Sequence, residues 1–123
     1  MRQLSIIIAT LFISACASQL DRRLDAAYLA YNQGDCARTM VELSRAERLS
    51  RARRYLQPEI SLLRGQCLER EGLFVDAVQT YRFIGAQYPA SEYAFRARAR
   101  LETLEKLGHL QPAVVPSGSS AGK

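Results

Sequence analysis

The sequence has few of the residues that catalytic and metal sites need. It contains a single histidine, His109, and no Ser-His-Asp set, no cluster of metal ligands and no glycine-rich phosphate loop. Glu69 and Glu71 are close in sequence, but residues two positions apart on a helix point to different faces. These absences predict a protein that is not an enzyme and that needs no metal or cofactor. His109, where the last helical pattern ends, is expected to be solvated.

Long hydrophobic runs are also scarce, and the one that exists stands at the start of the chain. Arg2 is followed by the apolar run LSIIIATLFI and by two small residues, Ser14 and Ala15. These are the three parts of a secretory signal. The run is shorter than the roughly 20 residues that a helix needs to span a bilayer, and the charged stretch DRRLD follows soon after it. The pattern therefore predicts a signal peptide over residues 1–15.

The residues at the end of this run, Ile13-Ser14-Ala15-Cys16, resemble the lipobox of bacterial lipoproteins. The resemblance implies that Cys16 is lipidated (for example with palmitate), that it becomes the first residue of the mature protein, and that residues 16–19 form a short linker. Two or three acyl chains make a durable membrane anchor. No aspartate follows Cys16, so the sorting rule of that family implies the periplasmic face of the outer membrane. An ordinary signal peptide with a chance cysteine is the alternative.

Strand patterns are almost absent between residues 20 and 110, and helical patterns take their place. Apolar residues recur three and four positions apart, and in one run they form a single stripe: Ala77, Val78, Tyr81, Ile84 and Tyr88. Gly34 and Gly72 stand where helices should end in a left-handed residue. Asp35 and Ser91 are candidate N-caps, and Pro58 suits a first turn. These features predict an all-α domain over residues 20–110.

Two copies of one pattern become visible when Gly34 is aligned with Gly72, an offset of 72 − 34 = 38 residues. Ala27 and Gly65 each precede the glycine by seven positions, and such small residues let two antiparallel helices approach closely. The pattern resembles the tetratricopeptide repeat (TPR), a helix-turn-helix unit of about 34 residues. It implies a short TPR-like helical hairpin solenoid of about five helices, two repeats plus a capping helix over residues 92–107. The excess residues should lengthen the second helix or the turn after it. An unrelated helical bundle is the alternative.

The stretch TYRFIGAQYPASEYAFRARARLETL is similar to the envelope TPR proteins, among them the lipoprotein of the β-barrel assembly machine and the Tol-Pal coordinator. This resemblance implies a protein-binding adaptor or scaffold in an envelope assembly, secretion or pilus system. The alternative is a structural lipoprotein that only spaces its anchor from the cell wall. A thiol-reactive or enzymatic protein is less favoured.

The odd-numbered helices of such repeats line a groove that binds a peptide or a helix. Aromatic rings and arginines are the residue types enriched in interface anchors. The repeat alignment implies that the groove is lined by eight residues: Tyr28, Tyr31, Asn32, Gln66, Glu69, Arg70, Arg96 and Arg100.

Cys36 and Cys67 remain once Cys16 is assigned to the anchor. Export would place them in an oxidising compartment, where disulfides persist. Cys36 should open the second helix and Cys67 should lie in the last turns of the third, so both fall at one end of the domain. A disulfide is therefore predicted if their Cα atoms come within about 7 Å. The alternatives are a reactive thiol at Cys36, since a helix N-terminus lowers the thiol pKa, and two inert buried thiols.

The chain carries a net charge of +5, and part of it forms a ridge on the second helix. Arg45, Arg48 and Arg51 are spaced by three, with Arg53 and Arg54 beyond them. Nucleic acid is an unsuitable partner for an exported protein, so the ridge is interpreted as a solvated face, with anionic lipid head groups or acidic glycan as alternatives. After His109, residues 111–123 are rich in Pro, Gly and Ser, which predicts a disordered tail.

Overall fold

The computed structural model describes residues 19–110. The predicted signal peptide, Cys16 and the predicted tail lie outside this range. The described part contains five α-helices and one short 3₁₀ helix: α1 (19–32), α2 (Cys36–Leu49), the 3₁₀ helix (Arg54–Leu56), α3 (Gln57–Arg70), α4 (Phe74–Gln87) and α5 (Glu92–Lys106). No strand occurs between residues 19 and 110, which confirms the all-α prediction. None of the helices in this range is long and apolar enough to cross a membrane.

The three odd helices all end in the same hydrogen-bonded turn. The N–H of Gly72 donates to the carbonyl of Glu69 at 3.0 Å, and the N–H of Leu73 donates to the carbonyl of Leu68 at 2.9 Å. This pair of bonds is the Schellman motif, and it requires a left-handed residue. Gly34 and Gly108 end α1 and α5 with the same two bonds, and the three glycines have φ values of 79°, 75° and 80° in chain order. The predicted ends at Gly34 and Gly72 are confirmed.

The predicted helix starts are confirmed as well. Asp35 caps α2, its side chain accepting from the N–H of Arg38 at 2.9 Å, and Ser91 caps α5 in the same way. Pro58 lies in the first turn of α3, where its missing N–H has no helical partner to lose. The excess residues after α2 form the turn at 50–53 and the 3₁₀ helix, so they lengthen the connection and leave α2 at 14 residues.

Two hydrophobic clusters form the core, and both consist entirely of described residues. The first joins α1, α2 and α3: Leu20, Leu24, Ala27, Leu43, Ala46, Ile60 and Leu63. The second joins α3, α4 and α5: Leu62, Ala77, Val78, Tyr81, Ile84, Ala94, Ala97 and Leu104. α3 therefore contributes to both clusters, and α5 packs against α3 and α4 in the second.

Small residues stand where the helices come closest. A Cβ atom added at Gly65 of α3 would lie 2.5 Å from Cε1 of Tyr81 on α4, so only glycine fits this contact. In the first repeat Ala27 is fully buried at the equivalent position, next to a threonine, Thr39, that departs from the repeat pattern. The hydroxyl of Thr39 donates to the carbonyl of Asp35 at 2.8 Å, which explains how a polar residue is tolerated there.

Candidate functional site

The odd helices α1, α3 and α5 share one face, because side chains on this face connect them directly. Between α1 and α3, the hydroxyl of Tyr28 donates to Oε1 of Glu59 at 2.8 Å. On the same face, at the end of α3, Nη1 of Arg70 donates to the carbonyl of Tyr31 at 2.6 Å. Between α3 and α5, the guanidinium of Arg100 donates to the carboxylate of Glu69. The neighbourhood of odd helices that the repeat alignment implied is therefore present.

A hollow of about 370 Å³ lies in the middle of this face. It is lined by Tyr31, Gln66, Glu69, Arg70, Phe74 and Arg100. Five of these six are predicted groove residues, and they come from all three odd helices. The remaining one, Phe74, comes from the first turn of α4. Its position in the second repeat corresponds to that of Cys36 in the first, and the prediction missed it because only odd helices were considered.

Glu69 is held firmly at the side of this hollow. Its Oε2 accepts from the hydroxyl of Tyr81 at 2.9 Å and from Nε of Arg100 at 3.1 Å, while Oε1 accepts from Nη2 of Arg100. The Glu69 side chain is only 14% exposed. Burial first, and then the hydrogen bond to the Glu69 carboxylate, raise the pKa of Tyr81 well above its usual range. Both carboxylate oxygens are thus occupied. Glu69 and Arg100 therefore shape the side of the hollow and are less available to bind a ligand.

Tyr31 and Arg70 form another part of the lining of the hollow. The guanidinium carbon of Arg70 lies 3.9 Å from the centroid of the Tyr31 ring, a cation–π contact. Arg70 is exposed and forms no ion pair with any described residue. A ligand that brings a carboxylate could therefore bind its guanidinium without first displacing a protein carboxylate.

The other three predicted groove residues lie outside the hollow. Tyr28 lies nearer the start of α3, where the carboxylate of Glu59 accepts its hydrogen bond. Burial is the main cause that raises the pKa of Tyr28 and of Tyr93 on α5, and Glu59 adds to it. Arg96 lies over the ring of Tyr93, 5.6 Å from its centroid. Asn32, the last residue of α1, is exposed and does not line the hollow.

His109 is not simply solvated, so that expectation is wrong. Its ring stacks on Phe74 with the centroids 3.6 Å apart. The third Schellman turn, at Gly108, folds the chain back after α5 and carries the histidine onto the aromatic ring. Among residues 19–110, no group of three or more His, Cys, Asp and Glu side chains could hold a metal ion.

Cys36 and Cys67 meet at the end of the domain where α3 ends and α2 begins. Their Cα atoms are 5.4 Å apart, within the range of disulfides, and the sulfur atoms lie at bonding distance. The two residues are 3% and 1% exposed. A reactive thiol needs partial exposure, so this burial argues against that alternative for Cys36.

Tyr81 makes the stability of the fold sensitive to alkaline pH. Its folded pKa lies above the ordinary value near 10, so below that pH both the folded and the unfolded protein keep the proton. Above it the unfolded tyrosine ionises and the folded one does not, so the free energy of unfolding should fall as the pH rises. Urea unfolding at about pH 8 and about pH 11 measures this fall. Tyr81→Phe should make it shallower, and an equal fall in both proteins would contradict the assignment.

No known protein family, curated protein or solved structure matches this chain.

Proposed function

We propose that this chain is a TPR-like lipoprotein, anchored through Cys16 in the outer membrane on its periplasmic face, that acts as a protein-binding adaptor or scaffold in an envelope assembly, secretion or pilus system. The observation that carries the proposal is the hollow on the shared face of α1, α3 and α5. The lipobox-like residues Ile13 to Cys16 supply the argument for the anchor.

The chemistry of the hollow favours an extended peptide or a helix as the ligand. Tyr31 and Phe74 offer aromatic surface, Gln66 offers an amide, and Arg70 offers a guanidinium with no carboxylate partner among the described residues. Aromatic and arginine side chains around one pocket are typical of interface anchors. The partner should therefore place an apolar side chain between the rings and an acidic side chain, or a chain terminus, next to Arg70. The fixed pair Glu69–Arg100 preserves the shape of the site between binding events.

Substitutions at the open side of the hollow should weaken partner capture without unfolding the domain. Tyr31→Ala and Arg70→Ala should each reduce recovery of the partner about tenfold, because an interface anchor contributes about 1–2 kcal/mol. The measurement is quantitative affinity purification of the tagged full-length protein from membranes, with helix content checked by circular dichroism. Arg100 is a poorer target, because its loss would leave the Glu69 carboxylate without its charged partner.

Matched controls for this experiment exist on the same domain. Phe95→Ala removes an aromatic ring that is 69% exposed and does not line the hollow, and Arg98→Ala removes an arginine from the same helix. Both should leave recovery unchanged. A Cys16→Ala protein should lose acylation and the durable anchor that it provides, and its recovery of a membrane-bound partner should fall. If the two variants in the hollow and the two control variants all recover the same proteins in the same amounts, the hollow is not the binding site. The alternative, a structural lipoprotein that spaces its anchor from the cell wall, is then favoured.

A further inference from the structure

Arginines from two helices meet at the end of the domain where the described chain begins. The first turns of α1 lie beside the last turns of α2 around a hollow of about 530 Å³. It is lined by Gln19, Arg22, Arg23, Arg45, Arg48 and Leu49. The ridge seen in the sequence of α2 is therefore only half of the feature, because α1 contributes two more arginines to it.

A second hollow, of about 550 Å³, continues the first and shares Arg48 with it. Its lining adds Arg51 and Arg54 from the connection between α2 and α3, together with Phe83 and Tyr88 from the end of α4. We call this surface the basic end, and it has six arginines: Arg22, Arg23, Arg45, Arg48, Arg51 and Arg54.

Carboxylates neutralise only part of the basic end. Glu42 is buried beneath it and accepts from Arg23 at 3.1 Å and from Arg45 at 2.8 Å. Glu47 lines the second hollow together with Gln57, and its carboxylate is bound to Arg64 at 2.9 Å and to Gln57 at 2.8 Å. The other four arginines of the basic end form no ion pair with any residue in the described range. The surface therefore keeps an excess of positive charge.

Apolar side chains are exposed among these arginines. Leu49 is 40% exposed, Phe83 is 44% exposed and Tyr55, which follows Arg54, is 69% exposed. Leucine and aromatic rings beside arginines are the composition of surfaces that lie in the head-group region of a membrane.

The position of the basic end in the chain decides between a membrane and a soluble polyanion. Gln19 lines the first hollow, and Cys16 is only three residues upstream, a distance of about 10 Å when extended. If Cys16 carries acyl chains, as in the proposed function, the basic end must lie within reach of the head groups of the same leaflet. The nearness of the basic end to the membrane rests on the proposed anchor at Cys16. The arrangement of the arginines is independent of that anchor.

We propose that the basic end docks on a membrane containing anionic phospholipids. Guanidinium groups of Arg22, Arg48, Arg51 and Arg54 bind lipid phosphates, for which their planar donor geometry is suited. Leu49, Tyr55 and Phe83 enter the head-group region. The anchor and the basic end then hold the domain at two points, so that its orientation on the membrane is fixed.

Vesicle binding by unacylated protein tests this proposal separately from the anchor. The chain from residue 17 onward contains every described residue of both core clusters. It should bind vesicles of phosphatidylethanolamine with phosphatidylglycerol, should bind less as salt is added, and should not bind vesicles of phosphatidylcholine alone. The triple variant Arg22→Gln, Arg48→Gln, Arg51→Gln should lower the partition coefficient by about tenfold or more, since each basic residue near an anionic surface contributes to attraction.

The matched control loses the same charge away from the basic end: Arg38→Gln, Arg98→Gln and Lys106→Gln. It should bind as the unsubstituted protein does. Tyr55→Ser should weaken binding with no change in charge, while Phe95→Ser should not. The proposal is overturned if the two triple variants lose vesicle binding equally, or if the protein does not bind vesicles that contain phosphatidylglycerol. Binding to polyphosphate without binding to vesicles would also overturn it. These measurements need neither acylation nor a protein partner. A negative result would therefore overturn membrane docking by the basic end without affecting the proposed function, which partner recovery tests.

Discussion

Replacing Cys36 or Cys67 by serine should lower the free energy of unfolding by about 3–4 kcal/mol. The two cysteines are 31 positions apart in the sequence, and a bridge between them restricts a loop of that length in the unfolded chain. The bridge also ties α2 of the first repeat to α3, which belongs to both core clusters. Domains of this size have a total stability of about 5–15 kcal/mol, so the expected loss is a large share. Urea unfolding of purified protein, followed by circular dichroism, measures it.

Reduction should have the same effect as substitution. With a reductant present, the unsubstituted protein should unfold at the urea concentration of the Cys36→Ser variant. Its intact mass should increase by the two hydrogen atoms that a reduced bridge gains. Cys16→Ser is the matched control in unacylated protein, because it removes a cysteine that is not one of the bridge pair. The bridge is disproved if reduction changes neither the mass nor the unfolding midpoint.

The helix boundaries could be predicted from the sequence because local rules decide them. Gly34 and Gly72 supply left-handed ends, and Asp35 and Ser91 supply caps, whatever the rest of the chain does. The meeting of the two bridge cysteines required one further step, the antiparallel order of neighbouring helices, and that too follows from short connections.

Contacts between side chains of different helices were harder to foresee. The repeat alignment placed Glu69 and Arg100 on one face, but it could not show that they pair with each other and with Tyr81. This pairing depends on the distances and angles between α3, α4 and α5, and no local sequence pattern determines these. The stack of His109 on Phe74 was missed for the same reason.

The basic end shows a different limit of sequence interpretation. Arg22 and Arg23 were visible in the sequence, and so was the ridge that begins at Arg45. Their meeting follows from topology, since the start of α1 lies beside the end of α2 in an antiparallel pair. The interpretation of the ridge as a solvated face was made from α2 and the turn after it, without the two arginines that α1 adds.

A side chain at Gly65 should destabilise the domain strongly. The added Cβ would lie 2.5 Å from Cε1 and 3.0 Å from Cδ1 of Tyr81. The ring cannot move away cheaply, because it is fully buried and its hydroxyl is bound to Glu69. Overpacking of this kind costs about 1–3 kcal/mol, which exceeds the gain of about 1 kcal/mol that alanine has over glycine in a helix. We expect Gly65→Ala to lower the free energy of unfolding and Gly65→Val to lower it further, by about 3 kcal/mol or more.

Gly85 of α4 provides the matched control, because an added Cβ there would have no atom within 4 Å apart from its chain neighbours and the backbone of its own helix. Gly85→Ala should therefore raise the free energy of unfolding by about 0.5–1 kcal/mol, the helix propensity of alanine without any clash. Replacing glycine by alanine should thus lower the free energy of unfolding at position 65 and raise it at position 85. Combining Gly65→Ala with Tyr81→Leu should recover part of the loss, since a shorter side chain leaves room for the methyl group and the two changes are then coupled. A stabilising Gly65→Ala would mean that α3 and α4 are farther apart than the packing of Tyr81 requires.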